Sequence, residues 1–249
     1  LIELDTGEHR SGVLPDSQEL IEIGRALDET PGVSLRGVLT HAGDSYQCRS
    51  VEAIQDIAEE ERAGTVGAAK RLRQAGLPCP VVSVGSTPTV VHARHLDDVT
   101  EVRCGVYMFG DVFQSEIHSC SMGDIAVSVL ATVIGHREGQ NSALIDAGAL
   151  ALSKDRSTGA EGLPEDIGFG LVMDETGQGR IDGIRVTHVY QEHGILTCED
   201  DFPFDKLPIG ARVRVYPNHS CLTAAMYDSY QVVEGPGYVI AQWPRINGW

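Results

Sequence analysis

The sequence predicts a fold in two parts, an α/β part followed by an all-β part. The first half of the 249 residues alternates strand-like apolar runs with helical patterns, which is typical of parallel βα units. After about Gly123 the helical patterns stop, and short β-prone runs follow, separated by Gly, Pro, Asp and His. We therefore predict an α/β domain over residues 1–122 and a β-domain over residues 123–249.

The first half is predicted to contain four strands joined by helices. A helix from about Ser17 to Glu29 begins with the capping-box pattern of Asp16 and Glu19. A longer helix, Val51 to Ala75, ends at Gly76, a common stop signal. Four such units fit half of an eight-stranded barrel or a doubly wound sheet. The predicted strands are Leu1–Leu4, Leu35–Thr40, Pro80–Val84 and Glu101–Phe109.

The second half is predicted to be entirely β-structure. Its apolar runs are short, and turn-forming residues separate them, which is typical of a compact β-domain. The predicted strands cover residues 127–134, 143–146, 169–173, 184–190, 194–197, 212–216 and 238–243.

Composition excludes several classes of partner. The formal net charge of −17 argues against nucleic acid and anionic membranes. No apolar run approaches the roughly 20 residues that span a bilayer. The six cysteines have no framework spacing, so we expect reduced thiols and a cytoplasmic protein.

Polar and small residues follow each predicted strand of the first half, where both architectures place their sites. Arg10 could pair with a phenolate or carboxylate, or lie in solvent. His41 could stack on an aromatic cofactor, transfer protons, or simply be hydrogen-bonded. Two further turns carry backbone amides and hydroxyls that could hold one phosphate dianion, unless they are ordinary turns. Those turns contribute Gly85, Ser86, Thr87, Gly105 and Val106.

The segment Pro217–Cys221 contains a histidine and a cysteine two residues apart. In an extended segment, His219 and Cys221 would point to the same side and reach one ion. Nitrogen and sulfur are ligands that zinc favours, and two protein ligands leave coordination positions open. The alternative is a turn with a buried thiol.

Together these segments resemble the fold-type III pyridoxal-phosphate family, which includes alanine racemase, in its D-serine dehydratase and D-threonine aldolase branch. The resemblance rests on several turns in the same order rather than on one motif. In this order they imply barrel strands five to eight of a (β/α)8 TIM-type barrel, followed by a C-terminal β-domain. The matching segments are Asp5–Val13, His41–Tyr46, Ser83–Thr89, Glu101–Asp111, Ile145–Gly148, Glu192–Gly194 and Pro217–Cys221.

The resemblance implies roles for individual residues. His41 matches the position that stacks on the cofactor ring, and Arg10 the arginine near its phenolic oxygen. Arg103 matches the racemases' arginine that faces the pyridine nitrogen, which the dehydratase branch does not reliably keep. His219 and Cys221 match the dehydratases' metal pair. The cofactor-binding set is Arg10, His41, Tyr46, Gly85, Ser86, Thr87, Arg103, Gly105, Val106 and Tyr107.

The family's Schiff-base lysine has no counterpart in this chain. Lys70 lies on a predicted helix, Lys154 in the β-domain and Lys206 in a turn. The chain also begins inside a predicted strand, at Leu1. We therefore expect the other barrel half to be missing or to lie on another polypeptide, so that Leu1–Leu4 is an open or externally paired sheet edge.

The resemblance implies, for the complete enzyme, a cytoplasmic homodimer. It would use pyridoxal 5'-phosphate and a divalent metal such as zinc to cleave small D-3-hydroxy amino acids, as a dehydratase or an aldolase. The pair His219 and Cys221 favours the dehydratase. The alternatives are a metal-free racemase and a catalytically inactive module that binds the cofactor without the lysine.

Overall fold

The computed structural model describes residues 1–235 and 237–246. The chain divides into two compact units. The first unit is Leu1–Tyr107 with Ile117–Ser119, and the second is Met108–Glu116 with Cys120–Trp249. Residues 108–116 and 120–122, which the sequence analysis assigned to the first domain, therefore pack in the second unit.

The first unit is a parallel four-stranded sheet in the order β1-β2-β3-β4. Its register pairs Ile2 with Val38 and Ser83 with Glu101. Helices cover the apolar face, and their contacts with the strands form the core. The elements are β1 (Ile2–Leu4), α1 (Gln18–Glu29), β2 (Gly37–Thr40), α2 (Val51–Gln74), β3 (Val81–Val84), α3 (Thr87–His92) and β4 (Glu101–Val102).

Two sequence-based expectations for this unit are wrong in detail. The N-cap of α1 is Ser17 rather than Asp16, because the Ser17 hydroxyl accepts the N–H of Leu20 at 3.3 Å. The predicted strand Glu101–Phe109 contains only two strand residues. Beyond them the chain turns across the end of the sheet into a short 3-10 helix at Val106–Met108.

The sheet of the first unit is open, with β1 and β4 at its edges. The outer edge of β1 is not wholly free. The N–H of Val13 donates to the carbonyl of Glu3 at 3.0 Å, and the N–H of Asp5 donates to Val13 at 2.9 Å. Val13, in the following loop, thus pairs with backbone N–H and C=O groups at the outer edge of β1. The loop can approach the strand because Gly12 adopts a φ of 97°.

The second unit contains a closed antiparallel barrel in the order β10-β5-β6-β9-β8-β7. Alternate residues of its strands point inward, and Val133, Ile145, Ile184, Leu196 and Val213 are fully buried. All the β-prone runs of the sequence fall on strands. The barrel strands are β5 (Val129–Arg137), β6 (Ser142–Ile145), β7 (Gly170–Met173), β8 (Arg180–Val189), β9 (Gly194–Cys198) and β10 (Arg212–Pro217).

Among its described residues, the second unit also contains three short α-helices, three 3-10 turns and a hairpin. The hairpin pairs β11 (Ser229–Glu234), which the sequence analysis missed, with β12 (Tyr238–Pro244). The helices are α4 (Val112–Glu116), α5 (Ala149–Leu152) and α6 (Ser220–Ala225). None of the described helices is both long and apolar enough to cross a bilayer. All six cysteines are free thiols.

Candidate functional site

In the first unit, the loops that follow β2, β3 and β4 carry the predicted cofactor residues. His41 directly follows β2, and its Nδ1 lies 2.6 Å from the carbonyl oxygen of Gly85. A carbonyl can only accept, so Nδ1 carries the proton. Burial lowers the pKa of His41, which favours a neutral ring. The ring of Tyr46 lies 6.0 Å from that of His41, with 33° between the planes.

The two turns predicted to hold a phosphate lie side by side. The N–H of Tyr107 donates to the Thr87 hydroxyl at 3.3 Å. The N–H of Arg103 donates to the carbonyl of Val84 at 2.8 Å. A Cβ added at Gly105 would meet no atom within 4 Å, so open space lies in front of this residue. The structure therefore brings residues 85–87 and 105–107 next to each other, and a shared phosphate stays a prediction.

Two of the predicted phosphate ligands are already engaged within the protein. The N–H of Gly85 donates to Oε1 of Glu61 at 2.8 Å. The Ser86 hydroxyl caps α3 by accepting the N–H of Thr89 at 3.3 Å, and it lies 3.0 Å from the Ser45 hydroxyl. Neither group faces a ligand in this arrangement, which leaves the backbone N–H groups after Gly85 as the better candidates.

Glu61 was missed by the sequence analysis, although its position gives a signal. It lies on α2 at helical spacing with the buried residues Ile54, Ala58, Thr65 and Leu72. A carboxylate on the apolar face of a helix needs partners, because burial without hydrogen bonds is costly.

Arg103 lies across the carboxyl ends of the central strands. Its Nη1 donates to the Ser83 hydroxyl at 2.5 Å, and its Nη2 donates to the carbonyl of Thr40 at 2.6 Å. The Ser83 hydroxyl in turn donates to Glu101 at 2.5 Å. Both terminal nitrogens of the guanidinium therefore hold protein atoms.

Arg10 lies near His41 but is loosely held. Its Nη1 is 3.6 Å from Oε2 of Glu8, and more than half of its side chain is exposed. Arg10, Glu8 and His41 line a cavity of about 10 Å³, which is room for roughly one water molecule. Of the predicted cofactor residues, Arg10 thus has the least support from the surrounding protein.

The second unit contains a separate polar cluster around His219. The Nδ1 atom of this histidine lies 2.9 Å from Oδ2 of Asp111, whose side chain is fully buried. Asp111 also accepts the N–H of Ser220 at 2.9 Å and the N–H of Gln114 at 2.7 Å. The carboxylate therefore fixes the imidazole with Nδ1 protonated and leaves Nε2 for another partner.

Cys221, two residues further on, interacts with the His219 side chain and raises its pKa. Burial lowers the pKa of His219, but the bonds to Asp111 and Cys221 outweigh burial and raise it to about 10. The expected extended geometry is wrong, because His219 is the N-cap of α6 and Cys221 lies in its first turn. The helix start brings the two side chains together instead.

Asn218 anchors the turn that positions this cluster. It is almost fully buried, and its amide nitrogen donates to the Thr158 hydroxyl at 2.6 Å and to the carbonyl of Gly168 at 2.8 Å. Its oxygen accepts the N–H of Thr158 at 3.1 Å. The turn before His219 is therefore held at both sides.

The donor set fits a divalent ion with open coordination positions. An imidazole nitrogen and a thiol are ligands that zinc favours. Across residues 1–235 and 237–246, no group of three or more His, Cys, Asp or Glu side chains gathers as a complete metal site. An ion held by His219 and Cys221 would therefore keep positions for water or a substrate oxygen.

None of the three lysines lies among the candidate residues. Lys70, the lysine of the first unit, is 56% exposed and pairs with Asp98 at 3.1 Å. Lys154 and Lys206 belong to the second unit. The absence of the family's Schiff-base lysine from this chain therefore stays a prediction.

Two family models match consecutive parts of the chain. The model described as "Alanine racemase, N-terminal domain" matches residues 1–112. The model described as "Putative serine dehydratase domain" matches residues 126–233. The first model covers the predicted cofactor residues, and the second covers His219 and Cys221. Asp111, which contacts His219, lies within the first model's range.

Curated relatives match over the full length of this chain. D-threo-3-hydroxyaspartate dehydratase from Delftia sp. (strain HT23) is 49% identical over 254 residues, covering 100% of this chain and 65% of the relative. D-serine dehydratase from Dictyostelium discoideum is 34% identical over 258 residues, covering 100% of this chain and 64% of the relative. The chain thus spans about two-thirds of their length, at 65% and 64% respectively.

Solved structures of the Delftia enzyme match this fold with a TM-score of 0.90 at 49% identity, covering 99% of this chain and 65% of that one. One variant of that enzyme, with a cysteine replaced by alanine, is in the metal-free form. Its TM-score is 0.89 at 48% identity, with the same two coverages of 99% and 65%. The chain therefore belongs to the alanine racemase-like, fold-type III pyridoxal-phosphate family, in the branch that contains D-serine dehydratase and D-threo-3-hydroxyaspartate dehydratase.

Proposed function

We propose that this chain is part of a pyridoxal-phosphate-dependent, metal-assisted lyase that dehydrates small D-3-hydroxy amino acids. The dehydratase relatives support the reaction class, at 49% and 34% identity over the whole chain. The observation that carries the proposal is the arrangement of Asp111, His219 and Cys221. A buried carboxylate that fixes the tautomer of a histidine beside a thiol is the usual support of a metal-binding imidazole.

The first unit supplies a site that fits pyridoxal phosphate. The open space at Gly105 and the adjacent Thr87 hydroxyl suit the phosphate, with Val106 and Ser86 contributing backbone N–H groups. His41 presents a neutral ring whose Nδ1 is held by Gly85, which suits stacking on a flat cofactor.

Arg103 has a positioning role in this proposal rather than a direct one. Its guanidinium ties Thr40 to Ser83, at the ends of β2 and β3, and so fixes the loops that carry His41 and Gly85. Two of the five guanidinium N–H groups serve this role, and the contact with the pyridine nitrogen that the resemblance implies for Arg103 stays a prediction.

When bound, pyridoxal phosphate supplies an electron sink for Cα, and a divalent ion such as zinc supplies a Lewis acid for the substrate 3-hydroxyl. His219 and Cys221 would hold that ion. Asp111 holds the His219 Nδ1, so that Nε2 is the ring atom left for the ion. Thr87 and the neighbouring amides would orient the cofactor, and His41 would exclude water from one face of its ring.

The histidine–cysteine pair favours a dehydratase over the two other candidates. The metal-free form of the relative's cysteine variant supports cysteine as a ligand in this branch. A D-threonine aldolase-like cleavage of the Cα–Cβ bond is the second candidate, since it also uses an activated 3-hydroxyl. A metal-free racemase would leave the Asp111–His219–Cys221 arrangement without a role.

We further propose that the open sheet of the first unit is the second half of a (β/α)8 barrel. Four parallel strands with two edges need further strands to close, and the matched relatives are longer than this chain. The remaining strands would supply the Schiff-base lysine. A catalytically inactive module is the alternative if no such lysine joins the site.

We also propose a cytoplasmic homodimer whose ligand is a small D-amino acid, not a nucleic acid or a membrane. Six free thiols support a reducing compartment, and the charge of −17 disfavours polyanions. The exposed apolar residues of the β11–β12 hairpin, including Tyr238 at 73% and Trp243 at 59%, support a covered surface in the assembly.

Product analysis tests the proposed reaction. The full-length protein with pyridoxal phosphate and zinc would be incubated with D-serine, D-threo-3-hydroxyaspartate and D-threonine. A dehydratase releases a 2-oxo acid and ammonia in equal amounts. Glycine with an aldehyde would identify the aldolase, and formation of the Cα epimer alone, which is L-serine from D-serine, would identify the racemase.

A further inference from the structure

We infer that Glu61 is a positioning residue for the cofactor phosphate, because its carboxylate holds together the two loops that follow β2 and β3. The inference rests on the proposed function, since it names a buried residue that shapes the phosphate end of that site. Glu61 lies on α2, and no part of it is expected to touch the cofactor.

The carboxylate of Glu61 binds both loops at once. Its Oε1 accepts the N–H of Gly85 at 2.8 Å, in the loop after β3. The N–H of Ala42, in the loop after β2, and the side chain of Thr89, in α3, also favour the ionised carboxylate and lower its pKa. The residue is only 2% exposed, so these bonds replace water almost completely.

A buried hydroxyl network continues the connection between the same loops. The Ser45 hydroxyl donates to the carbonyl of Ala42 at 2.7 Å and lies 3.0 Å from the Ser86 hydroxyl. The Ser86 hydroxyl lies 2.9 Å from that of Thr89, which donates to the Ser86 carbonyl at 3.3 Å. All three hydroxyl-bearing residues are at most 2% exposed, so the network is a buried polar connection inside the unit.

The chemistry of this connection requires an acceptor at position 61. The Gly85 N–H needs an acceptor here and the Ala42 N–H favours one, and an ionised carboxylate offers two oxygens. A glutamine keeps one oxygen and replaces the other by an NH2 group, so the two N–H groups would have to share a single acceptor atom. Burial raises the pKa of Glu61, while the bonds to Gly85 and Thr89 and the charge of Arg103 act in the opposite direction.

The inward direction of the Gly85 N–H determines which groups remain for a phosphate. Because that amide is fixed on Glu61, the loop can offer only the backbone and hydroxyl groups that follow it. The same carboxylate interacts with the backbone N–H of Ala42, the residue after His41. It therefore also helps to fix the position of the His41 ring. Loss of Glu61 should therefore loosen the phosphate end of the site and the start of the His41 loop together.

The test compares Glu61→Gln with Glu60→Gln, an exposed neighbour on the same helix. The first measurement is hydrogen exchange at the amides of Gly85 and Ala42 in the full-length protein without cofactor. The second is the affinity of each variant for pyridoxal phosphate and for pyridoxal, which lacks the phosphate. The ratio of the two affinities isolates the contribution of the phosphate.

We expect Glu61→Gln to lose exchange protection at both amides and to bind pyridoxal phosphate about tenfold or more weakly, with little change for pyridoxal. Glu60→Gln should behave as the wild type. Unchanged protection at the two amides, or an equal loss of affinity for both ligands, would overturn the inference.

A folding failure of the glutamine variant would not prevent the test, since Glu61→Asp keeps the acceptors on a shorter side chain. Glu61→Asp should lower the affinity for pyridoxal phosphate more than the affinity for pyridoxal. An unchanged ratio of the two affinities would again overturn the inference. If the wild type itself failed to bind pyridoxal phosphate, the proposed function would fall. The exchange protection of Gly85 and Ala42 would then still decide whether Glu61 holds the loops.

Discussion

The two units support their candidate sites by a buried carboxylate, but the carboxylates act on different parts of the protein. In the α/β unit, Glu61 projects from a long helix and accepts backbone N–H groups of two loops. In the barrel unit, Asp111 precedes a short helix. Its carboxylate accepts the Nδ1–H of His219 and two backbone N–H groups. The first carboxylate fixes the backbone, and the second fixes a tautomer.

This difference determines how each site should fail. We assign the phosphate end of the first site to backbone amides. Loss of the supporting carboxylate should therefore disorder the loops and weaken binding of the cofactor phosphate. A single imidazole and a thiol form the second site, so its failure should be the loss of one ion.

Replacement of Cys221 by alanine should have the largest effect. With one of the two ligands removed, metal content should fall to background and nearly all lyase activity should disappear, while pyridoxal phosphate stays bound. Metal analysis and cofactor absorbance measure the two outcomes. Cys198→Ala, a free thiol of β9, is the matched control. Full metal content in Cys221→Ala would rule out the thiol as a ligand.

Replacement of Asp111 by asparagine should weaken metal binding by about 10–100-fold. The new amide would offer a donor where His219 needs an acceptor, which shifts the ring proton to Nε2 and blocks the ligand atom. Competition with a chelator measures the affinity. Asp124→Asn, an exposed aspartate bonded to Ser121, is the control. Equal affinities of the wild type and Asp111→Asn would contradict the tautomer argument.

Alanine substitutions at two glycines of the first unit distinguish a position that is closely packed against the protein from a position that faces open space. An alanine Cβ at Gly85 would lie 2.2 Å from the Arg103 carbonyl oxygen, so we expect destabilisation of about 1–3 kcal/mol. At Gly105 the Cβ meets no protein atom, so the free energy of unfolding should change by less than about 0.5 kcal/mol.

The affinity for pyridoxal phosphate should nevertheless fall in Gly105→Ala, because the added methyl group enters the space that we assign to the phosphate. Denaturant unfolding and cofactor titration measure the two quantities. A Gly105→Ala variant that binds the cofactor as tightly as the wild type would exclude the phosphate from that space.

Glu116 gives the smallest effect and contrasts with Asp111 at the other end of α4. Burial and the nearby Glu165 and Asp166 raise its pKa to about 7, although the N–H of Glu165 lowers it, and its Oε2 has no partner among the described residues. The stability from its protonated form is fully present below pH 4.5 and is lost as the pH rises through about 7. Glu116→Gln should remove this slope in the unfolding free energy, and an unchanged slope would assign it to other groups.

Much of the fold could be predicted from the sequence because local patterns determine it. The alternation of buried and exposed residues in Arg212–Pro217 marks a barrel strand, and Ser50 with Gly76 bounds the long helix. The strand after Glu101 could not be delimited, since its apolar residues continue into a 3-10 helix whose direction depends on a contact with Thr87.

The supporting residues of both sites could not be predicted from local patterns. Asp111 lies 108 residues before His219, and Glu61 lies 24 residues before Gly85. Such pairs become visible only when the fold brings them together. The residues of the metal pair were predicted, but on extended geometry that the start of α6 does not have. Their adjacency depends on the helix turn and on Asn218, not on strand periodicity.

The most direct test of the central claim is a metal titration of the full-length protein during turnover of D-threo-3-hydroxyaspartate. The account predicts that removal of the ion by a chelator stops 2-oxo acid formation without releasing pyridoxal phosphate. Addition of about one equivalent of zinc per active site should restore it. Undiminished 2-oxo acid formation in the fully chelated protein would contradict the account.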